Sequence, residues 1–308
     1  MKKLAFTTIL LWAFGAMGIA KNNLKPKRPT VVTVYVHGTL FQFRKIFSKI
    51  PAAAKLTYVP DGLSLVKNLD TETLTYDLAT DFCVGDPKRF SLDDFYAFGW
   101  SGKLSFKERQ KWGKILAQQL SDLSKEYVKR DGIAPVIKVV TFSHGGNVAL
   151  NMAQFLRSKI KIELFLVACP IQPDTEKFAL SECFSKIYTI YSLNDLIQVV
   201  DPANICRNIK RKIKKESTSK KILSMRYFVH DSSKIKQACV TVNGKHIGHL
   251  ELFHLFNKHI PFVLQRLDSL PEIKGTNMLN IDICDQNFCF LNGVNIVKVL
   301  QGKEKGSK

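Results

Sequence analysis

Apolar residues along this chain fall into short, nearly continuous runs, separated by longer segments in which they recur every three or four positions. Val31 to Val36, Asp94 to Trp100, Val136 to Phe142, Ile162 to Ala168 and Lys186 to Tyr191 are the short runs, rich in β-branched and aromatic residues. Runs of this length with little polar alternation predict strands buried on both faces. Helical spacing marks Gln42 to Ala54, Ser105 to Arg130 and Gly146 to about Ser158. In the second of these, Trp112, Ile115, Leu116, Leu120, Leu123 and Val128 form the predicted core face. Strands alternating with helices predict an α/β fold with a mostly parallel central sheet and helices on both faces. The stretch Phe41 to Asp94 reads as a further strand–helix unit with an insertion. Apolar runs at Ile222 to Val229 and Ala238 to Val242 follow, then a helical segment from Leu250 to Leu267 that Pro261 interrupts or restarts. After Pro271 three short runs, Leu279 to Cys284, Phe288 to Leu291 and Val294 to Leu300, are separated by Asp285-Gln286-Asn287 and Asn292-Gly293. That spacing predicts a small C-terminal β-meander with a frayed, lysine-rich end.

Composition fits this picture: with 45% hydrophobic and 23% charged residues in 308, the body of the chain is globular and has no signature of disorder. Lys2 and Lys3 precede an uncharged run from Leu4 to Ala20 ending Gly18-Ile19-Ala20, which reads as a secretory signal cleaved after Ala20. Lys21, Lys25, Lys27 and Arg28 follow at once, and basic residues on that side resist translocation, so an uncleaved N-terminal anchor is the alternative. The expected organisation is therefore a signal or anchor over 1–20, a basic linker over 21–29, an α/β domain over 30–269, and the meander and tail over 270–308. The expected location is exported, secreted or periplasmic, or membrane-associated through the N-terminal segment.

A net charge of +20 favours anionic partners. Much of it lies in the stretch from Arg207 to Lys215 and in Lys220-Lys221, a solvated face or a surface for anionic membranes. No zinc-finger, RNP-type or helix-turn-helix signature accompanies it, which argues against nucleic acid. The seven cysteines have no paired C-x-x-C metal spacing. In an exported chain Cys284 and Cys289 could bridge the turn between them; in a cytosolic one they read as small buried residues.

The densest chemistry lies at Val139-Val140-Thr141-Phe142-Ser143-His144-Gly145-Gly146-Asn147, where one serine stands between a strand and a small-residue helix start. A tight turn there lifts the serine oxygen above the sheet edge and aims the first helical N–H groups at the same point. A serine nucleophile needs a base, and the base needs a carboxylate. Asp195 lies just past the carboxyl end of the strand Lys186 to Tyr191; its alternative role is a helix cap for Leu196 onward. Asp201, before Pro202, reads as a turn former. Among seven histidines, His249 enters the long apolar helix behind Gly248, and His246 is the alternative base. His254 and His259 fall inside the helical pattern.

The serine window resembles the G-x-S-x-G nucleophile elbow of the α/β-hydrolase superfamily, with Thr141 in place of the first glycine. Residues 30 to 267 are similar to its lipase- and esterase-like members. Phe98-Gly99-Trp100-Ser101-Gly102, with Arg109 downstream, also looks like a segment of some of these hydrolases. The resemblance implies the chain order Ser143, Asp195, His249 for a catalytic triad. From the likeness of His37-Gly38-Thr39 to the lipase H-G-T loop it implies an oxyanion hole formed by the backbone amides of Thr39 and His144, with Leu40 as the fallback. It further implies cleavage of carboxylic esters through an acyl-serine and no cofactor. Phe41, Phe43 and Phe47 read as plain core residues or as the lining of an acyl cleft or lid. Two other readings share the fold: an inactive module that binds lipid or a protein partner, for which Thr141 argues, and an acyltransferase using the same intermediate.

Overall fold

Five of the predicted apolar runs lie side by side in one sheet. The computed structural model describes residues 28–39, 59–156, 160–200, 224–229, 232–254, 256–270 and 277–284. Its strands are β1 (Val31–Val36), β2 (Gly62–Leu65), β3 (Phe95–Gly99), β4 (Val136–Phe142), β5 (Ile162–Val167), β6 (Phe184–Tyr191), β7 (Ile235–Val242), β8 (Lys245–His246) and β9 (Asn277–Ile283). They are ordered β2-β3-β1-β4-β5-β6-β7-β8, with β9 also paired to β7. The edge strand β2 and the two-residue β8 are antiparallel to their neighbours; the other pairings are parallel.

The central strands are mostly apolar because each face meets a separate core. On β4, Ile137 and Val139 point to one layer and Val140 and Phe142 to the other; on β5, Leu164 and Leu166 oppose Phe165 and Val167. Side chains alternate across a strand, so a strand covered on both sides loses its polar positions. The first layer is closed by α2 (Phe106–Asp131) and α3 (Gly145–Met152), the second by α1 (Leu74–Gly85), α5 (His249–His254) and α6 (Ile260–Ser269).

Helix α2 starts where Ser105 accepts a hydrogen bond from Glu108 N–H (3.3 Å) and stops at Gly132, whose φ of 76° lets its N–H reach Val128 O. This is the expected serine cap and left-handed glycine stop. Leu116, Leu120 and Leu123 face the core as predicted, but Val128 is 43% exposed, and Tyr127, its hydroxyl donated to Asp94, is buried instead. Gly113 permits α2 to cross α3 closely: a Cβ there would meet Asn151 Cβ and Val148 O at 2.9 Å.

The restart expected at Pro261 is found, and two further expectations change. The segment from Leu250 to Leu267 is two helices, α5 and α6, with a 3-10 turn at Asn257–His259 between them. Pro261 lies in the first turn of α6, where its missing N–H costs nothing. Within the predicted run Ile222 to Val229, Met225 makes a single bridge to Ile171; residues 222 and 223 lie outside the described residues. The first strand of the predicted C-terminal meander is β9, parallel to β7 over its whole length from Lys236↔Asn277 to Val242↔Ile283. It is therefore an added strand of the central sheet, and the sheet does not stop at residue 269. The expected helix over 42–54, the other two meander strands, Cys289, Leu40, Asp201, the N-terminal segment, the three phenylalanines at 41, 43 and 47 and the basic run 207–221 lie outside the described residues. Cys284 carries a free thiol.

Toward the amino ends of the parallel strands, on the face covered by α1 and α6, charged groups interlock. Asp268 of α6 accepts from Tyr188 of β6 and pairs with Arg89, which also reaches Asp86 at 3.3 Å. Lys186 stands 3.7 Å from Asp268, and Lys138 of β4 stands 3.5 Å from Glu163 of β5.

Candidate active site

The opposite end of the sheet collects the carboxyl termini of β1, β4, β6 and β7, where the chain turns out of each strand. After β4 the turn is tight: Ser143 has φ of 52°, in the left-handed region that a non-glycine residue occupies only under constraint. Its N–H donates to Val167 O of β5 (2.9 Å), and the helical bonding of α3 begins with Gly146 N–H to Ser143 O (3.0 Å). His144 occupies the N-cap of α3, so its amide lies among the first N–H groups that a helix leaves without an intrahelical acceptor.

The two glycines after His144 are required by contact. A Cβ on Gly145 would stand 2.4 Å from Val36 O and 2.6 Å from His37 O, and one on Gly146 would meet Cys169 Sγ at 2.4 Å. Thr141, at the position where the resembling family has glycine, is fully buried and donates its hydroxyl to Phe165 O of β5 (3.0 Å). The threonine thus satisfies its polar atom on the neighbouring strand, and the turn at Ser143 keeps its strained conformation.

His249 begins α5 and brings Nε2 to 3.0 Å from Ser143 Oγ. Its Nδ1 lies 2.7 Å from Asp195 Oδ2, in the loop after β6. A carboxylate only accepts, so Nδ1 carries the proton and Nε2 offers its lone pair to the serine hydroxyl. Asp195 is wholly buried, with its second oxygen accepting from Gln198 N–H at 3.2 Å. Asp195 therefore makes two contacts at once: one oxygen caps the short helix α4 (Leu196–Val200), and the other meets the imidazole.

Several neighbours that the sequence did not single out fix these side chains. Ser192 Oγ accepts from Ile247 N–H (2.9 Å), joining the acid loop to the histidine loop. Arg226 donates to the carbonyls of Leu193 and Asp195, and Gln198 Nε2 donates to Cys169 O (3.0 Å). Phe142, next to the serine, packs its ring 4.9 Å from that of His249 and 4.7 Å from Phe253. Gly248, which precedes the histidine, is held in place: its N–H donates to Glu251 (2.5 Å) and its carbonyl accepts from Leu252. The first bond is the glutamate half of a capping box on α5. These contacts join positions distant in the chain and leave no periodic signal; the Gly248–Glu251 spacing alone was legible.

His246 sits in β8 opposite Thr241, outside the hydrogen bonds that join Ser143, His249 and Asp195. His259 packs on Phe256. His37 and Gly38 follow β1, and Gly38 abuts the elbow so closely that a Cβ there would lie 2.8 Å from Ser143 Cβ. Thr39 is thereby within the same corner of the molecule as the nucleophile. Among the described residues no cluster of His, Cys, Asp or Glu has the makings of a metal site. In comparison with known proteins, no family model and no curated sequence matches this chain.

Proposed function

We propose that this protein is a serine hydrolase of the α/β-hydrolase superfamily, lipase- or esterase-like, that cleaves carboxylic esters through an acyl-serine. The observation that carries the reading is the unbroken chain from Ser143 Oγ to His249 at 3.0 Å and from His249 to the buried Asp195 at 2.7 Å. Ser143 and Asp195 stand past the carboxyl ends of the parallel strands β4 and β6, and His249 follows the short antiparallel strand β8, in the chain order serine, acid, histidine. Ser143 attacks the ester carbonyl as its proton passes to His249 Nε2. Asp195 stabilises the imidazolium and holds its tautomer. The carbonyl oxygen, now anionic, is received by the amides of Thr39 and His144. The imidazolium then returns the proton to the departing alkoxide, and water, deprotonated by the same histidine, releases the acid.

Labelling of the full chain with a fluorophosphonate, followed by peptide mapping, tests this directly. Modification of Ser143, and loss of both labelling and ester turnover in Ser143→Ala, is the expected result. A folded wild-type chain that neither labels nor hydrolyses esters would favour the inactive binding module.

The surroundings support lipid-like esters. Leu193, Leu196, Ile197 and Val200 flank Asp195, Leu250 follows His249, and all five are exposed. In the sequence the basic run from Arg207 to Lys221 follows Val200 closely. Apolar side chains beside a cationic segment fit an anionic lipid surface. Among the described residues no helix is long and apolar enough to cross a membrane. The expected outcome is co-sedimentation with vesicles containing phosphatidylserine, weakened by salt, and little binding to phosphatidylcholine alone. Equal binding to both would remove the anionic surface from the proposal.

A further inference from the structure

The loop after β1 is locked by a pair of side chains that the triad does not use. Trp100, at the end of β3, donates its backbone N–H to His37 Nε2 (3.1 Å), and its indole Nε1–H to His37 O (2.7 Å). The two rings stack at 5.8 Å with an angle of 18°. Because Trp100 N–H is a donor, His37 Nε2 must be the acceptor and the ring proton must lie on Nδ1. Nδ1 stands 2.8 Å from Gly38 O, to which it therefore donates. Both residues are buried.

The bond to Gly38 O has a consequence one atom further on. Gly38 carbonyl and Thr39 N–H belong to the same peptide plane, and in a trans peptide they point in opposite directions; the described residues contain no cis peptide. Fixing the carbonyl therefore fixes the line along which Thr39 N–H points. Gly38 itself lies against Ser143 Cβ and the Phe142 backbone, so the plane is held at the nucleophile. We propose that His37 and Trp100 are positioning residues that orient the Thr39 amide toward the oxyanion of the acyl-transfer step. This rests on the serine-hydrolase reading above: neither residue touches the substrate, and each acts through the Gly38–Thr39 peptide.

The test uses the full chain with p-nitrophenyl butyrate and its thiono counterpart, in which sulfur replaces the carbonyl oxygen. Sulfur accepts hydrogen bonds poorly, so the preference for the oxygen ester reports the oxyanion donors. His37→Phe, which fills the volume without either hydrogen bond, is expected to lower kcat on the oxygen ester by about 10²-fold, the scale of a lost oxyanion donor. KM should stay within about twofold and the oxygen-over-sulfur preference should shrink. His37→Asn, whose Nδ2 can still donate to Gly38 O, should recover part of the loss. Trp100→Phe, a milder change that removes one bond, should lower kcat about tenfold in the same pattern and serves if His37→Phe does not fold. Unchanged kcat in a folded variant, or a fall in kcat with the preference intact, would overturn the proposal. A wild-type chain with no Ser143-dependent turnover would overturn the hydrolase reading itself, and this inference with it.

Discussion

At the scale of single residues the candidate site is held together by buried side chains that serve two partners each. Asp195 is the clearest example, since one oxygen serves Gln198 N–H and the other His249 Nδ1. Asp195→Asn separates the two: the amide oxygen can still cap α4, but the negative charge facing the imidazole is gone. The expected outcome is a fall in kcat of about 10⁴-fold with a melting temperature near that of wild type. A loss under tenfold would mean that Asp195 is only a cap. Ser143, Asp195 and His249 were legible in the sequence because order along the chain and position after a strand are local patterns. Ser192, Gln198, Arg226 and Phe142 were not, because what they contact is decided by which strands become neighbours. Thr141 shows the limit from the other side. From sequence it argues against an elbow; beside Phe165 O its hydroxyl has a partner and the objection loses its force.

At the scale of elements, glycines mark where backbones meet and where a helix stops, and the two uses predict different costs. Gly145 starts α3 against the carbonyls of Val36 and His37, atoms that cannot move without breaking the end of β1. Gly145→Ala is therefore expected to destabilise the fold by about 3 kcal/mol or more, at or beyond the upper end of overpacking costs. Gly132 ends α2 at φ of 76° with open space around it, so Gly132→Ala should cost only about 1 to 2 kcal/mol, from the left-handed conformation alone. Urea unfolding of both variants checks the contrast, and equal costs would contradict the contact argument. Element types followed from periodicity, including the α2 core at Leu116, Leu120 and Leu123. Pairing did not: a run such as Leu279 to Cys284 has the same pattern whether it turns back on a neighbour or crosses over to lie parallel to β7. The distance between β7 and β9 in the chain carries no mark of which occurs.

At the scale of the molecule, the two ends of the sheet differ: one gathers Ser143, His249 and Asp195, the other joins α6 to the sheet through Asp268. Burial pushes the Asp268 carboxyl pKa upward, but the Tyr188 hydrogen bond and the Arg89 and Lys186 charges outweigh it, leaving it below the usual carboxylate value. A carboxylate with a lowered folded pKa stabilises the fold above its unfolded value of about 3.9, and that contribution is lost as pH falls through the folded value. Thermal melts from pH 7 to pH 2.5 should thus show an acid loss of stability that Asp268→Asn, less stable at pH 7, shows in weaker form. An identical acid limb in both proteins would assign that loss to other groups. The separation of the triad along the chain has one more effect. Ser143 and His249 are 106 positions apart, and the strands β5, β6 and β7 must pair before they meet. A ribosome therefore releases the serine long before its base exists, and the growing polypeptide carries an inert hydroxyl. Under the proposed hydrolase function, activity arises only after residue 249 has emerged and met Ser143, so that lipids near the site of synthesis are spared an active but half-made enzyme.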